Sequence, residues 1–319
     1  MGNALKGKVA VVTGAGGGIG RGVCLAMAAE GAKVVVNDLG VATDGTGQSM
    51  APAEKVVHEI KQAGGEAVVC FETVSTMAGG ERIIKKALDT YGRLDIVVTC
   101  AGILRDRMIF NMGESDWDAV MATHLKGTFA LVRPASAIFR QQRSGRIITF
   151  TSTAGLFGNP GQANYGAAKG AISGMTKVVA LDLGKYGVTV NAISPMAATR
   201  MTMTPEVMKA LEMKKKQGIT REGFEGGFSP DLTQLDPLDV APVAVYLASD
   251  AGANVNGQII YVAGPQISLL AIPRPIKTIY KSGRWTIDEL INTVPHTLMV
   301  GVANPAPPSP DRIGTPAKA

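Results

Sequence analysis

In GQANYGAAKG, residues 161–170, a tyrosine stands four residues before a lysine, with very small side chains around both. On a helix that spacing puts Tyr165 and Lys169 on one face, about one turn apart. A phenol ionises near pH 10 and is a poor base at neutral pH, but a close ammonium stabilises the phenolate and lowers that value. The pair is therefore a candidate general base toward an alcohol, or an acid toward a carbonyl. Ser152, thirteen residues before the tyrosine, could hydrogen-bond an oxygen on which charge develops. Gly166, Ala167, Ala168 and Gly170 leave room for cofactor and substrate. A tyrosine and a lysine at this interval are also common on ordinary surfaces, so their weight depends on what lies upstream.

Upstream, TGAGGGIG at residues 13–20 follows an apolar run and opens a helical pattern. Backbone without Cβ atoms can approach a pyrophosphate closely, and a helix N-terminus offers it free N–H groups and a positive dipole. Gly14, Gly16, Gly18, Ile19 and Gly20 form this candidate phosphate turn; a tight turn without a ligand is the plainer alternative. Asp38 closes the second apolar run, eighteen residues after Gly20. A carboxylate there can accept both adenosine ribose hydroxyls and repel a 2′-phosphate, and no basic residue at positions 15–17 offsets that repulsion. NAD is thus the expected cofactor, with a capping or turn role for Asp38 as the alternative.

The elements that must position these residues are short Val/Ile runs alternating with longer helical patterns, as in a parallel sheet covered on both faces. Strands are expected over residues 8–12, 33–38, 66–71, 94–100, 145–152, 188–195 and 258–264. The fold class is α/β: a doubly wound, seven-stranded parallel sheet, with ligands over the carboxyl ends of its strands. Residues 1–264 are expected to form one domain. Within it, LGVATDGTGQSM and residues 196–236 resist regular assignment, and long irregular inserts of this kind are usually lids or mobile loops. Residues 265–319 read as a C-terminal extension with a helix start at Thr286 and a disordered final stretch.

The 319 residues are enough for a substantial core, and 46% hydrophobic, 18% charged composition is that of a globular chain. The net charge of +6 is scattered except for Lys214, Lys215 and Lys216, and aromatics at 5% give little support for nucleic-acid stacking. No nucleic-acid partner is expected. Cys24, Cys70 and Cys100 show no metal-ligand or paired spacing, so they read as reduced core residues and no metal is expected. No run approaches the 18 or so apolar residues that span a membrane.

TGAGGGIG, the CAG of residues 100–102, the serine of TSTAG, YGAAK and SPMAATRMT together resemble the short-chain dehydrogenase/reductase family over residues 5–264. The resemblance implies a Rossmann-type fold, with Ser152, Tyr165 and Lys169 catalytic. It also implies that Cys100, Ala101, Gly102, Tyr165 and Lys169 touch the cofactor, and that Ser194, Pro195, Met196 and Ala197 cover its nicotinamide. Dimers or tetramers built on the tyrosine-bearing helix and its neighbour follow from the same resemblance. Two positions depart from the family pattern. Thr99 and Cys100 stand where two asparagines are usual, and His124 precedes LKG where many members carry a catalytic asparagine. In the family that residue's backbone carbonyl can hold a water that relays protons to the lysine. His124 is accordingly either a relay residue or a structural, helix-bending histidine.

VVVNDLG, AGILRDRM, THLKGTF and GNPGQANYGAAK are more closely similar to the dehydrogenase part of peroxisomal multifunctional enzyme type 2, also called 17β-hydroxysteroid dehydrogenase type 4. That resemblance implies NAD-dependent oxidation of (3R)-hydroxyacyl-CoA thioesters, with some steroid alcohols as the alternative substrate class, and Thr73 and Val74 beside the adenine. The small-molecule partner is then an acyl-CoA or a steroid alcohol. Hydratase and sterol-carrier segments are lacking, which reads as a stand-alone dehydrogenase. The terminal AKA differs from a peroxisomal SKL address, which fits a bacterial cytoplasm. Met196, Met201, Met203, Met208 and Met213 could accept an acyl chain or sterol ring, or simply pack the lid. Lys214–Lys216 could meet CoA phosphates or form a solvated helix face. A redox-sensing, NAD-binding regulator without turnover is the reading from a different class; the intact Ser152, Tyr165 and Lys169 argue against it.

Overall fold

The computed structural model describes residues 2–203 and 231–302. Its strands are β1 (Val9–Thr13), β2 (Lys33–Asn37), β3 (Glu66–Cys70), β4 (Ile96–Thr99), β5 (Gly145–Phe150), β6 (Val188–Met196), β7 (Ile259–Ala263) and β8 (Gln266–Leu269). They form one sheet in the order β3-β2-β1-β4-β5-β6-β7-β8. The chain winds outward from β1 in one direction, returns, and winds from β4 in the other. The carboxyl ends of β1 and β4, neighbours in register from Ala10↔Ile96 to Thr13↔Thr99, therefore flank a crevice that no crossover covers.

Seven strands are parallel, as the alternating pattern predicts. The eighth is a correction: β8 pairs antiparallel with β7, from Ile260↔Leu269 to Ala263↔Gln266. Gly264, at φ +57°, and Pro265 make the two-residue turn between them. Pro265 lacks an N–H and reads as the start of a tail, yet in the turn it has no ladder bond to lose.

The helices are α1 (Gly18–Ala29), α2 (Ala51–Gln62), α3 (Met77–Tyr91), α4 (Glu114–Met121), α5 (Gly127–Gln142), α6 (Thr153–Phe157), α7 (Ala163–Gly184), α8 (Ala241–Ala248) and α9 (Ile287–Thr293). Side chains along each strand alternate between two cores, because successive Cβ atoms point to opposite faces. Ala10, Val12, Val34, Val36, Ile96 and Val98 meet Val23, Met27, Val56, Ile60, Ala244 and Leu247 of α1, α2 and α8. Val9, Val11, Val35, Val97, Ile147 and Val190 meet Ile83, Ala87, Leu131, Phe139 and Leu183 of α3, α5 and α7. Each such valine, isoleucine or leucine contributes about 1.5–3 kcal/mol by leaving water.

The chain divides into two compact units, Met1–Leu270 and Ala271–Ala319. In the second, Thr286 caps α9 in a capping box with Glu289, and Lys281 donates to both Glu289 oxygens at 2.6 Å. Of the expected lid, residues 204–230, with Met208, Met213 and Lys214–Lys216, lie outside the described residues. Among the described residues no helix is long and apolar enough to cross a membrane.

The α3–α5 contact is close because Gly80 lacks a side chain: a Cβ there would lie 2.3 Å from the Ala130 carbonyl oxygen. Gly80→Ala is expected to lower unfolding free energy by about 2 kcal/mol, as overpacking does, read by thermal or denaturant melting. An unchanged midpoint would contradict the packing described.

Candidate active site

A cavity of about 520 Å³ opens over the carboxyl ends of the strands. Gly14, Gly17, Gly18, Ile19 and Gly20 form one wall. Gly14 turns the chain at φ +63°, and a Cβ on it would fall 2.6 Å from the Ala101 Cα, so only glycine lets β1's exit loop press against β4's. α1 begins at Gly18 with no side chain capping it, which leaves its first N–H groups facing the cavity. A pyrophosphate fits that cradle.

Asp38 lies beside it. Its Oδ2 accepts the Gly16 N–H at 2.7 Å and its Oδ1 the Gly40 N–H at 2.5 Å. Two backbone donors fix the carboxylate while leaving lone pairs for ribose hydroxyls. Gly16 does not itself line the cavity. A Cβ on it would sit 2.7 Å from the Pro52 Cβ and 3.0 Å from Asp38 Oδ2, so its smallness shapes the carboxylate's seat. Buried Asn37 donates to the Cys70 and Glu72 carbonyls at 3.1 and 2.9 Å, steadying the strand end from which Thr73 and Val74 reach the cavity. Cys100, Ala101 and Gly102 form its floor. Burial pushes the Cys100 thiol up to about 12, so it is not a thiolate at neutral pH.

Tyr165 and Lys169 enter the same cavity from α7. The Lys169 Nζ donates to the Phe150 carbonyl at 2.7 Å, and the Thr151 hydroxyl donates to the Lys169 carbonyl at 2.8 Å, so the end of β5 holds the lysine at both ends. Ser152 caps α6, its hydroxyl accepting the Ala154 N–H at 3.2 Å while hydrogen-bonded to Tyr165. The Lys169 ammonium lies 5.6 Å from the centre of the Tyr165 ring.

Burial pushes the Tyr165 phenol up to about 12; the Ser152 hydrogen bond opposes this and the Asp106 charge adds to it. Burial also brings the Lys169 ammonium down to about 8. In the protein alone desolvation of the phenolate dominates; the expected lowering depends on the positive charge of an oxidised nicotinamide as well as on the ammonium.

His124 occupies a π-helical turn, Ala122–Lys126, between α4 and α5, and its ring meets the Tyr165 ring edge-on with centroids 5.1 Å apart. Burial, with the Lys169 charge, brings it down to about 3, so the imidazole is neutral. Its main-chain carbonyl accepts the Thr128 hydroxyl at 2.8 Å and the Gly127 N–H, leaving little capacity for a relay water. That runs against the main-chain relay implied by the family resemblance.

Of Ser194, Pro195, Met196 and Ala197, only Pro195 lines the cavity. β6 runs through Met196, so alternate side chains turn into the core. Ser194 is fully buried, Met196 packs near Tyr261, and Ala197 is buried beside α1. Thr199, Arg200 and Met201 stand at the cavity instead.

Two further features bear on the cavity, the first of them the irregular stretch after β2. Residues 39–49 cross the cavity as a strap: the Thr43 carbonyl accepts the Leu104 N–H at 2.8 Å and the Asp44 carbonyl accepts Arg105 Nε at 2.9 Å. Asn164, fully buried, accepts the Tyr165 N–H at 2.7 Å and donates to the Arg105 and Asp116 carbonyls at 2.9 and 3.1 Å. It clamps the start of α7 to the loop after β4. An amide at a helix start among small residues is its only sequence signal.

The family pattern described as short chain dehydrogenase matches residues 8–210. The chain is 41% identical over 308 residues to hydroxyacyl-CoA dehydrogenase ChsB1 of Mycobacterium tuberculosis, covering 91% of this chain and 88% of that one. It is 46% identical over 198 residues to peroxisomal multifunctional enzyme type 2 of Mus musculus, which spans 62% of this chain but only 26% of the mouse protein. A crystal structure of a short chain dehydrogenase from Mycobacterium avium superimposes with a TM-score of 0.78 at 41% identity, covering 97% of this chain and 99% of that one.

Asn164→Asp removes two donors and faces two buried carbonyls with a carboxylate. It is expected to cost about 2–4 kcal/mol of stability, measured by denaturant titration, and a loss below about 0.5 kcal/mol would contradict the clamp.

Proposed function

The chain belongs to the short chain dehydrogenase family, an oxidoreductase family using a nicotinamide dinucleotide, and from that premise we propose that it oxidises (3R)-3-hydroxyacyl-CoA thioesters to 3-oxoacyl-CoA with NAD. One observation carries the proposal: Tyr165 and Lys169 line the same cavity as Gly14, Gly18, Gly20 and Asp38. The names of ChsB1 and of multifunctional enzyme type 2 support the acyl-CoA class. The Asp38 carboxylate, with no cation at Ala15, Gly16 or Gly17, supports NAD over NADP.

The bound nicotinamide supplies a hydride acceptor and, when oxidised, a positive charge. Ser152 holds the substrate oxygen. Tyr165, as phenolate, takes the hydroxyl proton while the carbinol carbon loses its hydride, and the ketone forms. Lys169, fixed by the Phe150 carbonyl, keeps a cation near the phenolate oxygen. Copies are proposed to associate through α5 and α7, where Phe129, Val178 and Leu181 are exposed apolar side chains.

Tyr165→Phe should lower kcat about 10³-fold while NAD affinity stays within about twofold; undiminished turnover would remove the base. Because the phenol is pushed up, few molecules carry phenolate at pH 7. Oxidation should therefore accelerate from pH 7 to 9, whereas the reverse reduction, which needs the neutral phenol, should stay level over that range. A flat oxidation profile would contradict the assignment. A 17β-hydroxysteroid is the competing substrate. A kcat/KM larger for the steroid than for a (3R)-hydroxyacyl-CoA would replace the acyl-CoA reading, and a larger value with NADP than with NAD would replace the cofactor.

A further inference from the structure

Three cations, Lys169, Arg105 and Arg200, line the cavity. Among the described residues its lining carboxylates, Asp38 and Glu72, lie just past the ends of β2 and β3. An oxidised nicotinamide would add a further positive charge beside Tyr165. A small 3-hydroxy acid with a free carboxylate should then be drawn in at least as readily as a neutral ester, unless a fixed negative charge opposes it.

Asp106 is fixed where it can do so. It stands between two residues tied to the start of α7: Asn164 Nδ2 donates to the Arg105 carbonyl at 2.9 Å, and the Arg107 N–H donates to the Gly161 carbonyl at 2.9 Å. Its own Oδ2 accepts Gln162 Nε2 at 2.8 Å, and Asn159 Nδ2 in turn donates to Gln162 Oε1 at 3.0 Å. Gln162 precedes Tyr165 by three residues, so the amide that holds the carboxylate is one turn from the phenol. The cations on either side are turned elsewhere. Arg105 donates to the Asp44 and Ser115 carbonyls, and Arg107 Nη1 to the Asp106 main-chain carbonyl at 3.1 Å. The Asp106 charge adds to the burial that pushes the phenol up, so it hinders the base rather than helping it.

We propose that Asp106 is a specificity-determining residue, whose carboxylate disfavours 3-hydroxy acids with a free carboxyl group and so restricts the site to neutral derivatives such as thioesters. This rests on the dehydrogenase reading above. In a 3-hydroxyacyl compound the carboxyl carbon is only two bonds from the carbinol carbon that Tyr165 serves. A charge felt at the phenol is therefore felt there as well. A thioester carries no charge at that carbon, whereas a free acid carries a full one, and the Asp106 repulsion falls on the acid alone.

Asp106→Asn removes the charge but keeps an acceptor for Gln162, so it should melt near the wild type. With a (3R)-3-hydroxyacyl-CoA as substrate at pH 8, the competitive inhibition constant of the free (3R)-3-hydroxy acid of the same chain should fall about fivefold in this variant. That of the neutral methyl ester should stay within about twofold. Asp106→Glu keeps the charge and should leave the acid's constant within about twofold of the wild type. Raising the ionic strength from about 0.05 to 0.5 M should favour the acid more in the wild type than in Asp106→Asn, because screening weakens the repulsion. A constant for the acid that does not move in Asp106→Asn, that moves equally for acid and ester, or that falls as far in Asp106→Glu would overturn the proposal and leave Asp106 as an anchor for Gln162. Calorimetric titration of acid and ester into the NADH-bound protein makes the same comparison without turnover. Failure of the unsubstituted protein to oxidise any (3R)-3-hydroxyacyl-CoA would count against the substrate reading, while unmoved constants in the variant count only against Asp106.

Discussion

A buried ammonium beside a partly buried phenol governs this structure. Desolvation acts on the two in opposite senses, raising Tyr165 to about 12 and lowering Lys169 to about 8. The protein alone therefore favours a neutral phenol beside a lysine that exchanges its proton readily. Anything cationic brought to the cavity shifts that balance toward phenolate, because charges interact strongly where water is excluded. Base strength is thereby coupled to cofactor occupancy.

The rest of the fold serves that burial. The topological reversal between β1 and β4 makes the crevice. Gly14 and Gly20 let its walls approach, since a Cβ on Gly20 would lie 2.2 Å from the Gly14 carbonyl. The end of β5 holds Lys169 through Phe150 and Thr151, and Asn164 locks the first turn of α7 to the loop after β4. The strap at residues 39–49 crosses to Arg105, and Asp38 and Tyr165 line one and the same cavity.

Much of this was legible beforehand because it depends on local pattern. Alternating Val/Ile runs and helical spacing locate seven strands, and the glycine turn, Asp38 and the Tyr165–Lys169 interval need only sequence separation. What escaped depends on three-dimensional surroundings. β8 follows a proline that local reasoning takes as a break, but a turn tolerates it. Ser194 and Met196 were expected to cover the nicotinamide, while β6 runs on through Met196 and its alternation turns both toward the core. The direction of the Tyr165 shift follows from burial, which spacing cannot supply. His124 reads as two alternatives, and its place in a π-helical turn with its ring edge-on to Tyr165 cannot be read from spacing.

The ionisation of Tyr165 responds to the charge in its cavity. Labelling tyrosines with ¹³C at Cζ and following the Tyr165 signal against pH, with and without saturating NAD, reads this directly. The account predicts no ionisation below about pH 10 in the protein alone and a clear downward shift on adding NAD. A signal that titrates as an ordinary exposed tyrosine and ignores the dinucleotide would contradict it.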